Sequence, residues 1–173
     1  MPLKKPDELP KIPKTRKKKM EAAIEAIPEK KPDKPEYICK AFFYFDKVNK
    51  IQNYVFAVET VTEFVSFAYE VSVEVMKKKR EIYLVLMGLK ALTNMAPQVQ
   101  PARTDIAFED LIGDYTVYVV KQDGSMNACT FNINIYNKEI SIVEKFLPEK
   151  ENNRLFCDFE VATDEFTFPP EKK

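Results

Sequence analysis

Residues 67–76 read FAYEVSVEVM, and side-chain character alternates along the whole stretch. Successive side chains of a strand point to opposite faces. Phe67, Tyr69, Val71, Val73 and Val75 therefore share one face, while Ala68, Glu70, Ser72, Glu74 and Met76 share the other. A helix would scatter the same residues around its circumference. This reading makes 67–76 a half-buried strand with one wet face, and it sets the expectation for the rest of the chain.

Working outward, Lys77–Arg80 is a basic loop, and 82–89 (IYLVLMGL) is apolar on both faces, as expected of a central strand. Leu, Met, Ala and Lys also favour helix, so strand and helix both stay open for residues 82–92. Upstream, 37–45 (YICKAFFYF) and 53–60 (NYVFAVET) read as strands around a polar turn at 46–50. Downstream, 93–104 carries Pro97 and Pro101 and reads as a loop, with a short strand near 106–108. Strands follow at 115–121, 128–136, 140–146 and 155–161, with turns at 122–125 and 137–139. Short strands at turn-marked spacing, without alternating helices, predict an all-β, antiparallel β-sandwich over residues 37–168. Residues 169–173 are a tail.

Leu111-Ile-Gly-Asp-Tyr115-Thr-Val-Tyr-Val119 resembles the corner that opens a late strand in immunoglobulin-like sandwiches. There a Tyr hydroxyl bonds back across the turn. The resemblance covers nine residues, lacks the accompanying Trp, and implies a sandwich without implying a function.

Residues 1–36 are different in kind. They hold seven of the 12 prolines and no aromatic residue, and carry 11 basic against 7 acidic side chains, net +4. Residues 37–173 carry 16 against 20, net −4, and contain every Phe and Tyr. Proline every few residues predicts an extended, flexible, basic Pro/Lys-rich arm over 1–36. Within it, MEAAIEAI (20–27) is a short, marginal helix that needs a surface to dock on.

Composition removes several chemistries. The chain has no histidine, so the commonest general base and metal ligand is missing. Its three glycines form no phosphate-cradling cluster. Cys39, Cys129 and Cys157 are widely spaced on apolar strand faces and read as buried thiols in a reducing compartment. A Cys129–Cys157 disulfide is the alternative if their strands adjoin. No leader-like or membrane-spanning run is present, so the expected location is cytoplasmic.

Four groups of residues remain as candidates. The arm cations Lys4, Lys5, Lys11, Lys14, Arg16, Lys17, Lys18 and Lys19 suit an anionic partner or a strap along a neighbouring subunit. Phe42 and Tyr44 make strand 37–45 apolar on both faces, implying either a covering layer or an interface. Asp105, Glu109, Asp110 and Asp114 are weak calcium candidates, in a spacing that matches no EF-hand loop. Glu70 and Glu74 lie about 13 Å apart by strand rise, too far for a glycosidase pair. The expected function is a non-catalytic accessory or structural subunit, without cofactor, that docks onto a larger protein assembly through the arm and an exposed sheet face. The alternatives are a nucleic-acid-associated protein using the arm on phosphates, and a sandwich that binds calcium or a small ligand.

Overall fold

Nine strands and one α-helix form in the computed structural model, which describes residues 12–172. Helix α1 spans Ile12–Glu25. The strands are β1 (Tyr37–Asp46), β2 (Ile51–Phe64), β3 (Ala68–Lys78), β4 (Glu81–Leu92), β5 (Gln100–Phe108), β6 (Gly113–Lys121), β7 (Met126–Asn134), β8 (Glu139–Phe146) and β9 (Cys157–Val161). One sheet has the order β5-β2-β1-β9, the other β3-β4-β6-β7-β8. They pack face to face in a sandwich-like body. Phe43, Phe56, Leu84, Phe131 and Ile133 lie fully buried between them. Phe131 bridges the layers, its ring 5.6 Å from Phe56 and 6.3 Å from Phe159. Each such side chain contributes on the order of 1.5–3 kcal/mol of burial free energy.

Polar turn residues act where the sequence places them. The Asp46 carboxylate accepts N–H bonds from Val48 (2.9 Å) and Asn49 (3.1 Å), and Asp123 accepts one from Ser125 (2.8 Å). Residues 82–92 resolve as strand. Strand β5 starts at Gln100, well before the expected 106, and contains Pro101. Because β5 is an edge strand, the N–H that proline lacks is not needed for a second partner.

Three expectations are corrected. The sheets are mixed rather than antiparallel, since β1 pairs β9 and β4 pairs β6 in parallel. In both cases the chain crosses to the other sheet and returns in the same direction, which no tight turn allows. Immunoglobulin sheets are antiparallel, so this arrangement departs from theirs. At the corner itself Leu111 and Tyr115 are buried. Instead of a bond back across the turn, the Tyr115 ring lies under Lys77 (5.6 Å) and Arg80 (4.9 Å). Lastly, the helix expected over 20–27 spans Ile12–Glu25, so residues 12–19 are helical rather than extended. The rest of the expected arm up to residue 11 lies outside the described residues.

Each sheet is covered on its outer face by the chain itself. Met20 and Ala23 of α1 seat on Val85, Val120 and Met126 of the five-stranded sheet, flanked by Ile24, Met76, Tyr83 and Tyr118. The Lys150 ammonium donates to the carbonyls of Ile24 (2.8 Å) and Gly124 (2.5 Å), satisfying an orphan acceptor at the helix C-terminus. On the four-stranded sheet, Ala162 and Phe166 close over Phe42, Val55 and Ala57.

Candidate docking surfaces

Most charged side chains on the four-stranded sheet are committed internally. Arg103 on β5 makes a bidentate pair with Glu165, bonds Asp105 at 2.7 Å, and lies 5.5 Å over the Phe42 ring. Lys40 bonds Glu59 at 2.8 Å. Asp105 is thus held by Arg103, and Asp114, on the other sheet, accepts from Asn132 at 2.6 Å. Glu109 and Asp110 are exposed between the strands that carry these two. Among the described residues no group of three or more Cys, Asp or Glu is placed to hold a metal. The structure does not bring the four acidic candidates together.

The ion pairs set an acid limit on stability. Burial pushes the Glu36 carboxyl up, but the Lys121 hydrogen bond and the charges of Lys121 and Arg154 outweigh it and leave it lowered. The Arg103 hydrogen bond holds Glu165 down against burial. Folded-state values below the unfolded ones mean stability that is present above the ordinary glutamate value of about 4.3 and lost as the pH falls through the lowered values. Arg103→Met should cost about 1–2 kcal/mol at pH 7 and flatten the acid limb of a melting-temperature titration. An unchanged limb would show that Glu165 is not held by this pair.

Cys39, Cys129 and Cys157 are free and buried in the main core. Burial pushes the Cys129 thiol up to about 12 and raises the other two. These thiols stay protonated and unreactive at neutral pH.

Of the apolar pair on β1, Phe42 is only 3% exposed, so at that position the covering layer is realised. Tyr44 is 46% exposed and remains accessible. The accessible apolar surface lies elsewhere, at an end that residue patterning did not single out. Strand β2 runs on to Phe64 although its pairing with β1 stops at Thr60. Strand β4 runs on to Leu92 although its pairing with β6 stops at Leu86. The two overhangs carry the turns 65–67 and 93–99, which expose Val61, Val65, Phe67, Leu89, Met95 and Val99 by 43–65%. Phe64 packs on Tyr69 at 5.0 Å beneath them, giving the overhang an aromatic floor. Residues 61–69 and 88–102 contain one charge each, Glu63 and Lys90, and that scarcity was the available sequence signal.

The basic residues fall into three groups. Lys4, Lys5 and Lys11 lie outside the described residues. Lys14 lies within the helical span, and Arg16, Lys17, Lys18 and Lys19 are exposed on α1. Arg16 reaches Glu74 of β3 at 3.4 Å, and Lys17 lies 4.0 Å from Glu21 one turn on.

Shallow depressions complete the surface. One of about 190 Å³ opens between β8 and β9, lined by Phe146, Leu147, Leu155 and the Lys145–Asp158 pair. Another of about 530 Å³ lies among Phe45, Lys47, Lys50, Phe168 and Pro170. No helix among the described residues is long and apolar enough to cross a membrane. Comparison with protein-family models, curated proteins and solved structures finds no match to this chain.

Proposed function

We propose that this chain is a non-catalytic accessory or structural subunit of a larger protein assembly, working in a reducing, cytoplasmic setting. The observation that carries this reading is the apolar overhang. Six large apolar side chains are exposed at one end of the sandwich, in segments bearing only two charges. Exposed apolar clusters of this kind mark contact surfaces, because leaving them in water is unfavourable and solubility gains nothing from them. The polar contacts point the same way, since Arg103, Lys40 and Glu36 spend their charge on holding the chain to itself.

The test is recovery of the native complex at high salt with wild type and with Val65→Ser/Phe67→Ser. Both side chains are at least 60% exposed, so the fold should keep its melting temperature within a few degrees. Stoichiometric partners should be recovered with wild type and fall at least tenfold with the variant. Equal recovery from both proteins would overturn the reading. A second reading, attachment to a phosphate-rich polymer, is favoured by the exposure of Arg16–Lys19 on one helix.

A further inference from the structure

We infer that α1 and the β3–β4 turn together form one cationic surface that binds the phosphate backbone of double-stranded nucleic acid. This rests on the second reading above and adds to it a set of residues about 60 positions away in sequence. Helix α1 crosses the outer face of the five-stranded sheet. Its C-terminal end is held at Gly124 by Lys150, and Arg16 reaches β3 at Glu74. Along β3, Val73 packs into the core and Lys77 lies against Tyr115, while Met76 packs with α1. Glu74, Met76 and Lys78 therefore share the outer face with the helix. Lys78 follows Glu74 by four residues, about 13 Å of strand rise, and Lys79 begins the turn beyond it.

The result is a band of exposed cations, Arg16, Lys17, Lys18, Lys19, Lys78 and Lys79, on a rigid sheet and its covering helix. Arg80 is excluded from the band, because it donates to the Ile112 carbonyl and covers Tyr115. Three acids lie within the band: Glu21 and Glu74, each beside one basic residue, and Glu81, the cross-strand partner of Lys78, which accepts from the Tyr83 hydroxyl at 3.3 Å. Tyr83 and Tyr118 are stacked on each other at 4.6 Å under α1, and Tyr115 is buried beneath Lys77 and Arg80, so none of the three offers a platform for unstacked bases. Charge without stacking fits a duplex backbone, where contacts act through counterion release and carry no sequence preference.

The experiment titrates the full chain with a DNA duplex of about two helical turns at several salt concentrations. Six phosphate contacts give a slope of log affinity against log salt of about −5. Two variants separate the claims. Lys17→Glu/Lys18→Glu removes helix cations. Lys78→Glu/Lys79→Asn removes the turn cations, and Asn tolerates the left-handed backbone at residue 79 (φ 51°). Melting curves within a few degrees of wild type establish that both variants are folded. The composite surface requires each variant to weaken binding at least tenfold and to flatten the slope by about 2. Loss with the helix variant but full affinity with the turn variant would overturn the composite surface and leave the helix reading standing. A wild-type chain that does not bind the duplex, or binds it without salt dependence, would overturn both.

Discussion

Gly124→Ala should destabilise the fold by about 3–5 kcal/mol and lower its melting temperature by roughly 10 °C. Two costs add at this position. Gly124 has φ of +94°, a backbone conformation that costs an L-residue about 1–3 kcal/mol. A Cβ there would also lie 2.1 Å from the carbonyl oxygen of Ala26 and 2.6 Å from its carbonyl carbon. Main-chain atoms cannot rotate aside, so the segment behind α1 must lift. Lifting exposes Met20 and Ala23, which now cover Val85 and Val120. The other two glycines serve as controls. Gly88, at φ +118°, has nothing within 4 Å of a built Cβ, so Gly88→Ala should show the backbone cost alone. Gly113→Ala meets the Arg80 guanidinium at 3.1 Å and should fall between them, since that side chain can shift. Thermal unfolding followed by circular dichroism ranks the three. Equal losses at all three positions would show that α1 does not press on the Gln122–Ser125 turn.

That glycine shows how far residue patterning reaches. The turn at 122–125 is legible, because Asp-Gly between two alternating runs is a local chemical signal. Why nothing larger fits is not legible, because Ala26 arrives from almost 100 residues away. The same division runs through the fold. Alternation at 67–76 places Val71 in the core, but it gives no warning that Phe67 protrudes beyond the sheet, which depends on where the neighbouring strands stop. Alternation is also identical in parallel and antiparallel strands, so the β1–β9 and β4–β6 orientations leave no trace in it. The full length of the helix is hidden for a related reason. Residues 14–19 are good helix formers apart from Thr15, yet prolines at 10 and 13 dominate a local reading. Pro13 lies in the first turn of α1, where a missing N–H is tolerated. Among the candidate surfaces, the basic block on α1 was visible as composition. Its approach to Lys78 and Lys79 required the sheet.

Asn127→Ala should be the most damaging polar substitution on the sandwich side of the molecule, at about 3–5 kcal/mol. Asn127 is 1% exposed on β7, yet its amide serves the other sheet. Its Oδ1 accepts the N–H groups of Phe156 and Cys157, both at 2.8 Å, and its Nδ2 donates to the Arg154 carbonyl at 2.7 Å. Three main-chain groups at the entry to β9 are thereby satisfied where the chain crosses between sheets. Alanine leaves all three without that partner, and each orphaned group costs about 1–3 kcal/mol when water cannot replace the amide. Asn127→Asp separates this account from a simple cavity. The carboxylate keeps both acceptor bonds but turns the donor into an anion facing a carbonyl oxygen, so the charged form is disfavoured and its folded pKa is raised. A raised acid pKa means that the folded state holds its proton longer, so stability falls as the pH rises from about 4. Wild type should stay nearly flat over most of that interval, because Glu36 and Glu165 are lowered and their stabilisation is already present above about 4.3. Melting temperatures of the two proteins between pH 4 and 7 should therefore diverge. Parallel curves would mean that Nδ2 makes no bond to Arg154.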